Sequence, residues 1–203
     1  MTAAAVALCN QALRLLGEAS IAAFEEGTDL AATCSMLYDD TAKAILEGYP
    51  WRFTMAKVQL AREADAPPNE WTYQHALPPD RRQLRQLFPG ADEHLPPVAD
   101  YEVFGNLVLS DCPELWADYQ RETDPDTWPS AFRLLMRYAL AAELAVPVTG
   151  SASMADYYDR KAYGSPAEGR VGGQTRVARS LDAQQQPPQR IEHFPLIAAR
   201  FGG

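Results

Sequence analysis

An α+β fold, mainly α, is what this sequence predicts: a four-helix bundle with an inserted small antiparallel β region and an extended C-terminal arm. Three observations predict it. Apolar residues recur every three or four positions in four separate segments, the spacing of one helical face. Between residues 51 and 121 the pattern changes to short apolar alternations broken by Pro, Gly, Asn and Asp, the pattern of short strands and turns. Beyond Gly169 no period persists, and Gly172-Gly173 and Gln184-Gln185-Gln186-Pro187-Pro188 read as extended chain.

The first helix spans about 3–16. Val6, Cys9, Leu13 and Leu16 form its stripe, Thr2 is suited to cap its start and Gly17 to stop it. The second spans about 29–49, with Leu30, Cys34, Leu37, Thr41, Ile45 and Gly48 inward and Asp39, Asp40, Lys43 and Glu47 outward. Pro50 ends it by disfavouring the helical conformation of Tyr49. The β insert, about 51–121, offers strands near Phe53–Leu60, Trp71–Leu77, Gln83–Leu87, Tyr101–Phe104, Leu107–Leu109 and Leu115–Tyr119. Phe104-Gly105-Asn106-Leu107 reads as a tight hairpin, because Gly and Asn tolerate positive φ. The third helix, about 129–146, opens on Pro129 and is apolar around much of its circumference, which places it centrally. Pro147 and Gly150 stop it, and Ser151 or Ser153 caps a fourth helix over about 151–163.

Residues 1–169 are therefore expected to form a body and 170–203 an extended arm. The net charge of −9 divides between them: −12 on the body and +3 on the arm, whose five cations are all arginines. The arm ends in apolar residues, including Phe194, Leu196, Ile197 and Phe201. A solvated tail has no use for them. They read as a docking segment that orders on a partner, against the alternative of folding back on the body. Fully extended, 34 residues reach about 110–120 Å.

An acidic total disfavours a broad grip on nucleic acid, which runs on Lys and Arg. The opening Met1–Ala5 lacks the basic start and apolar middle of a secretion signal, and no apolar run is long enough for a bilayer. Cys9, Cys34 and Cys112 are odd in number and widely spaced; Cys9 and Cys34 read as buried apolar residues. No phosphate loop or nucleophile elbow occurs, and His75, His94 and His193 are not set with catalytic partners. No catalytic, cofactor or metal residues are assigned. Glu25-Glu26, Asp39-Asp40, Asp92-Glu93, Asp124 and Asp126 read as solvated faces and helix-start acids, since neighbours on a helix diverge by about 100°. Trp51, Trp71, Trp116 and Trp128 read as packing residues, and Arg81-Arg82 with Arg85 as a solvated strand end.

Four stretches, in order, resemble phage head-to-tail adaptor (connector) proteins of the tail tubular protein A and tail accessory factor type. They are Leu8–Gly17, which closes on Leu-Gly; Cys34–Phe53, a helix leading into Pro-Trp; Tyr73–Asp80; and Asp124–Pro129 followed by Ala141–Ser151. The resemblance covers roughly 5–160. It departs where Gly164-Ser165-Pro166 and Gly172-Gly173 interrupt what is often a long charged helix in the family.

The resemblance implies a non-enzymatic ring, commonly twelve-fold, beneath the portal in the virion neck, made and assembled in the host cytoplasm. DNA passes through its lumen without sequence-specific binding, and a stopper, terminator or nozzle protein follows on the tail side. It also implies a C-terminal arm docked on the portal. The candidates in this chain are Arg176, Arg179, Arg190, Phe194, Leu196, Ile197 and Phe201. The competing expectations are a tail-associated glycan hydrolase, which needs two carboxylates about 5–9.5 Å apart across a cleft, and a small regulatory protein whose tail binds nucleic acid.

Overall fold

The computed structural model describes residues 2–92 and 95–185. Thr2 accepts from the Ala5 amide and opens α1 (Ala3–Leu16); Gly17, at φ +82°, closes it with its N–H on the Arg14 and Leu13 carbonyls. Thr28 accepts from the Ala31 amide and opens α2 (Asp29–Glu47). The buried face of α2 is Ala31, Cys34, Tyr38, Thr41, Ala42 and Leu46, while the expected Leu30, Leu37 and Ile45 are only partly buried at its flank. The face is thus turned by about one residue, because it meets α3 rather than lying flat on α1.

The β region contains seven strands: β1 (Met55–Gln59), β2 (Ala61–Arg62), β3 (Tyr73–Ala76), β4 (Arg81–Phe88), β5 (Glu102–Phe104), β6 (Leu107–Ser110) and β7 (Trp116–Arg121). They form two antiparallel sheets, ordered β1-β7-β4 and β2-β3-β6-β5. One stretch of chain feeds both, since Leu60 lies between β1 and β2 and its N–H donates to the Leu115 carbonyl. Leu60, Leu77, Leu87, Val108, Leu115 and Ala117 make a core of their own between the sheets. Phe104 pairs with Leu107 across the expected hairpin, with Gly105 at φ +61°.

Asp124 caps a 3-10 turn over Pro125–Thr127, and α3 (Ser130–Leu144) follows, with Pro129 standing just before it. Leu135, Met136, Ala139, Leu140 and Ala141 are fully buried, as befits the helix against which α1, α2, α4 and α5 all pack. A π-type turn over Ala145–Thr149 absorbs Pro147 and ends at Gly150, φ +69°. Ser151 caps α4 (Ala152–Tyr163).

Two expectations are corrected. The described residues form five helices and two antiparallel sheets, a mixed α/β fold rather than a four-helix bundle with an insert. The sheets enclose a separate core, so they are a second layer and not a decoration of the helices. The chain past residue 169 is also not extended throughout. Gly173–Ala183 is a fifth helix, α5, laid against α3 and α4. Its buried side is Thr175, Ala178 and Asp182, one small and two polar residues at helical spacing, so no apolar stripe betrays it.

Candidate functional site

The chain passes from helix to sheet at Tyr49-Pro50-Trp51, and α5 lies over that turn. The Trp51 indole Nε1 donates to the Ile45 carbonyl at 2.9 Å. Its ring meets Tyr49 and Phe132 edge-on, each at 4.8 Å between centroids, and Phe132 meets Phe53 and Trp128 in the same way. The helix is tied down at three places. The Thr175 hydroxyl donates to the Ala162 carbonyl at 2.9 Å, and the Gln174 amide donates to the Ala131 carbonyl at 3.1 Å. Asp182, 4% exposed, accepts from the Arg52 amide with both oxygens, at 3.0 and 2.9 Å, and from the Phe53 amide. It serves as a cap supplied from 130 residues away for the 3-10 turn Arg52–Thr54. Burial pushes the Asp182 carboxyl up, and those amide bonds oppose the shift.

Beside this seam is a cleft of about 180 Å³. Ile45, Trp51 and Leu135 are its apolar lining; Arg170 and Arg179 are its cations. Arg179 stacks over the Tyr49 ring at 4.7 Å, and its Nε has no hydrogen-bond partner. Arg170 stacks over Tyr163 at 3.9 Å and pairs through Nη1 with Asp159 at 2.9 Å. Arg170 sits at φ +63°, alone in that among the described non-glycine residues.

Of the seven docking candidates, the structure describes two. Arg176 and Arg179 lie on α5 and not on an extended arm; Arg176 is exposed and Arg179 half-buried. Arg190, Phe194, Leu196, Ile197 and Phe201 lie outside the described residues. Val177 and Leu181, 46% and 48% exposed, share the outward side of α5 with Arg176.

Elsewhere the ionisable groups are engaged locally. Glu26 accepts from the Ala22 amide and the Thr28 hydroxyl, and Asp124 caps its turn. Asp39 and Glu122 line one cleft of about 170 Å³, but Asp40 does not, and Arg82 holds Glu122 at 3.1 Å. Within the basic run, Arg85 donates through Nε to Gln120 at 2.9 Å and through Nη2 to the Glu47 carbonyl at 3.0 Å. Cys9 and Cys34 are buried and free, and their contact, with burial second, pushes the Cys9 thiol up. Trp51 and Trp128 are buried; Trp71 donates to Glu102. Among the described residues no three His, Cys, Asp or Glu side chains are grouped to hold a metal ion. No helix among them is long and apolar enough to cross a membrane.

Arg170 and Asp182 escaped the sequence reading. Asp182 carried a faint signal, standing seven residues after Thr175 and four after Ala178 on one helical face. Arg170 carried none, because its role depends on a backbone angle and on Tyr163 from α4. No family model matches the chain, and no curated protein matches it.

Proposed function

We propose that the chain is a structural head-to-tail adaptor of a bacteriophage, forming a ring beneath the portal around the DNA channel and joining capsid to tail. The observation that carries this reading is the ordered set of four stretches that resemble such adaptors. Each runs through an element of the fold and takes in a joint. Leu16-Gly17 is the C-cap of α1, and Pro50-Trp51 is the passage from α2 to β1. Tyr73–Asp80 is β3 with the turn into β4, and Asp124–Pro129 is the entry to α3. Joints are demanding of residue type, so resemblance that takes them in, in the right order, speaks for shared architecture.

The charge division supports the same reading. Residues 1–185, which include the docked α5, carry −10, and such a body suits a wall past which DNA slides, because each phosphate contact would slow its passage. The portal, a tail-side stopper, terminator or nozzle protein, and further copies of the chain are the partners it requires. A ring demands a heterologous interface that closes on itself.

The test is electron microscopy of the purified protein alone and mixed with portal-bearing heads. Closed rings, or rings formed on the portal, are the expected result. Monomers that fail to join heads would sink the reading. The docking role of the C-terminal segment is tested by ending the chain after Gln185 rather than after Gly169. The shorter cut removes α5 and uncovers the seam under it, whereas the longer one leaves every described contact in place. Loss of attachment by the chain ending at Gln185, with its fold intact, is expected; normal attachment refutes the arm.

A further inference from the structure

We propose that the cleft between α2, α3 and α5 is a docking site for an acidic peptide segment of a protein partner, which inserts one apolar side chain and pairs its carboxylates with Arg170 and Arg179. The inference stands whether or not the adaptor reading holds, because it rests on the cleft alone.

Four observations converge on it. The lining is apolar at its base, with Leu135 and Trp51 belonging to the buried core and Ile45 packed against it. Its volume, about 180 Å³, compares with the roughly 150 Å³ that holds a benzene ring, so one large side chain fits. Both charged residues in the lining are arginines, in a protein whose total is −9. Each guanidinium lies over a tyrosine ring, Arg179 4.7 Å from the Tyr49 centroid and Arg170 3.9 Å from that of Tyr163, contacts that restrict its movement before a ligand arrives.

The two arginines also carry features that internal structure does not use. Arg179 stacks on Tyr49 and makes no ion pair among the described residues, so its charge has no internal carboxylate. Arg170 holds a left-handed backbone conformation in which glycine would be strain-free. Its pair with Asp159 is between side chains 60% and 39% exposed, a surface pair that leaves much of the guanidinium facing solvent beside the cleft. A carboxylate is the complement of a planar guanidinium with unused donors, and bidentate pairing adds direction to the charge. An apolar anchor between two carboxylates therefore matches both the lining and the rim.

Fluorescence anisotropy tests this on the full chain, using a labelled acetyl-Asp-Glu-Phe-Glu-Asp-amide peptide. The Lys-Lys-Phe-Lys-Lys counterpart and a labelled short oligothymidylate serve as comparisons. The acidic peptide is expected to bind and the basic one not. Arg179→Gln is expected to weaken binding about tenfold or more, and Arg179→Lys less. Arg170→Gly should weaken binding as well, while leaving the thermal midpoint unchanged or raised. Ala44→Leu, which fills the exposed mouth of the cleft without touching a charge, should also weaken it. Equal binding of both peptides, no binding, or binding indifferent to Arg179→Gln and Ala44→Leu in folded variants overturns the proposal. Preference for the oligothymidylate overturns it in favour of nucleic acid. If rings fail to form while the peptide binds, the adaptor reading falls and this one remains.

Discussion

Asp182 is a carboxylate in the last turn of a helix, the end where a negative charge is disfavoured. The amides of Arg52 and Phe53 offset that cost, since they are orphan donors at the start of a 3-10 turn. Asp182→Ala is expected to destabilise the protein by about 1–3 kcal/mol, because buried donors lose their acceptor. Asp182→Asn should cost less at neutral pH. The carboxyl is raised in the folded state, so its ionised form carries a penalty that is absent below its unfolded value of 3.8 and grows as pH rises through the folded one. Urea unfolding of the two variants at pH 7 checks the order. His75 works in the opposite sense. It is fully buried, its Nε2 meets the Pro113 carbonyl at 3.4 Å, and burial pushes its pKa below the usual 6.5. As pH falls below about 6.5 the unfolded chain takes up a proton that the folded chain resists, so stability declines. His75→Gln should flatten urea midpoints measured between about pH 7 and pH 5; an unchanged slope would refute the assignment.

Among the elements, α1 was readable from its own residues: Thr2, the apolar spacing and Gly17 each act where expected. The hairpin of β5 and β6 was readable from Gly105-Asn106 for the same reason, since a turn is a local event. α5 was not. Of its inward residues, Thr175 donates to the Ala162 carbonyl and Asp182 accepts from the Arg52 amide, partners that lie outside the helix and outside any local window. The difference between truncations follows from this. A chain ending after Gly169 should unfold at a clearly lower temperature than the full protein, and a chain ending after Gln185 at nearly the same one. Equal midpoints for both would show that α5 contributes nothing. Calorimetry reads the comparison directly.

At the scale of the whole molecule, the helical layer and the sheets meet through Gln120. Its amide nitrogen reaches the Leu46 and Tyr49 carbonyls and the Thr54 hydroxyl at 2.9–3.0 Å, while its oxygen accepts from Arg85. Gln120 is 1% exposed, so its amide would be left without partners in the interior if these bonds were lost. Gln120→Ala is expected to cost about 1–3 kcal/mol in urea unfolding. It should also speed hydrogen exchange across the joint, and no change in either would mean the layers hold together without it. The cleft with Arg170 and Arg179 belongs to this scale too, assembled from α2, α3, α5 and the turn before α5. The sequence placed Arg179 on an extended arm, and neither its seat over Tyr49 nor its companion Arg170 over Tyr163 was visible until the helices were in place.

By itself the sequence determined where α1 to α4 run and where the β region begins. These depend on spacing, capping residues and composition, which are properties of neighbours along the chain. Only the tertiary structure decided that the β region is a layer with its own core, that the start of the arm is a docked helix, and that two stacked arginines share a cleft. Each of those depends on partners far apart in sequence: Leu60 with Leu115, Arg52 with Asp182, Tyr49 with Arg179. A helix buried through small and polar residues leaves no hydrophobic period, so its place could be read only from the groups that receive it.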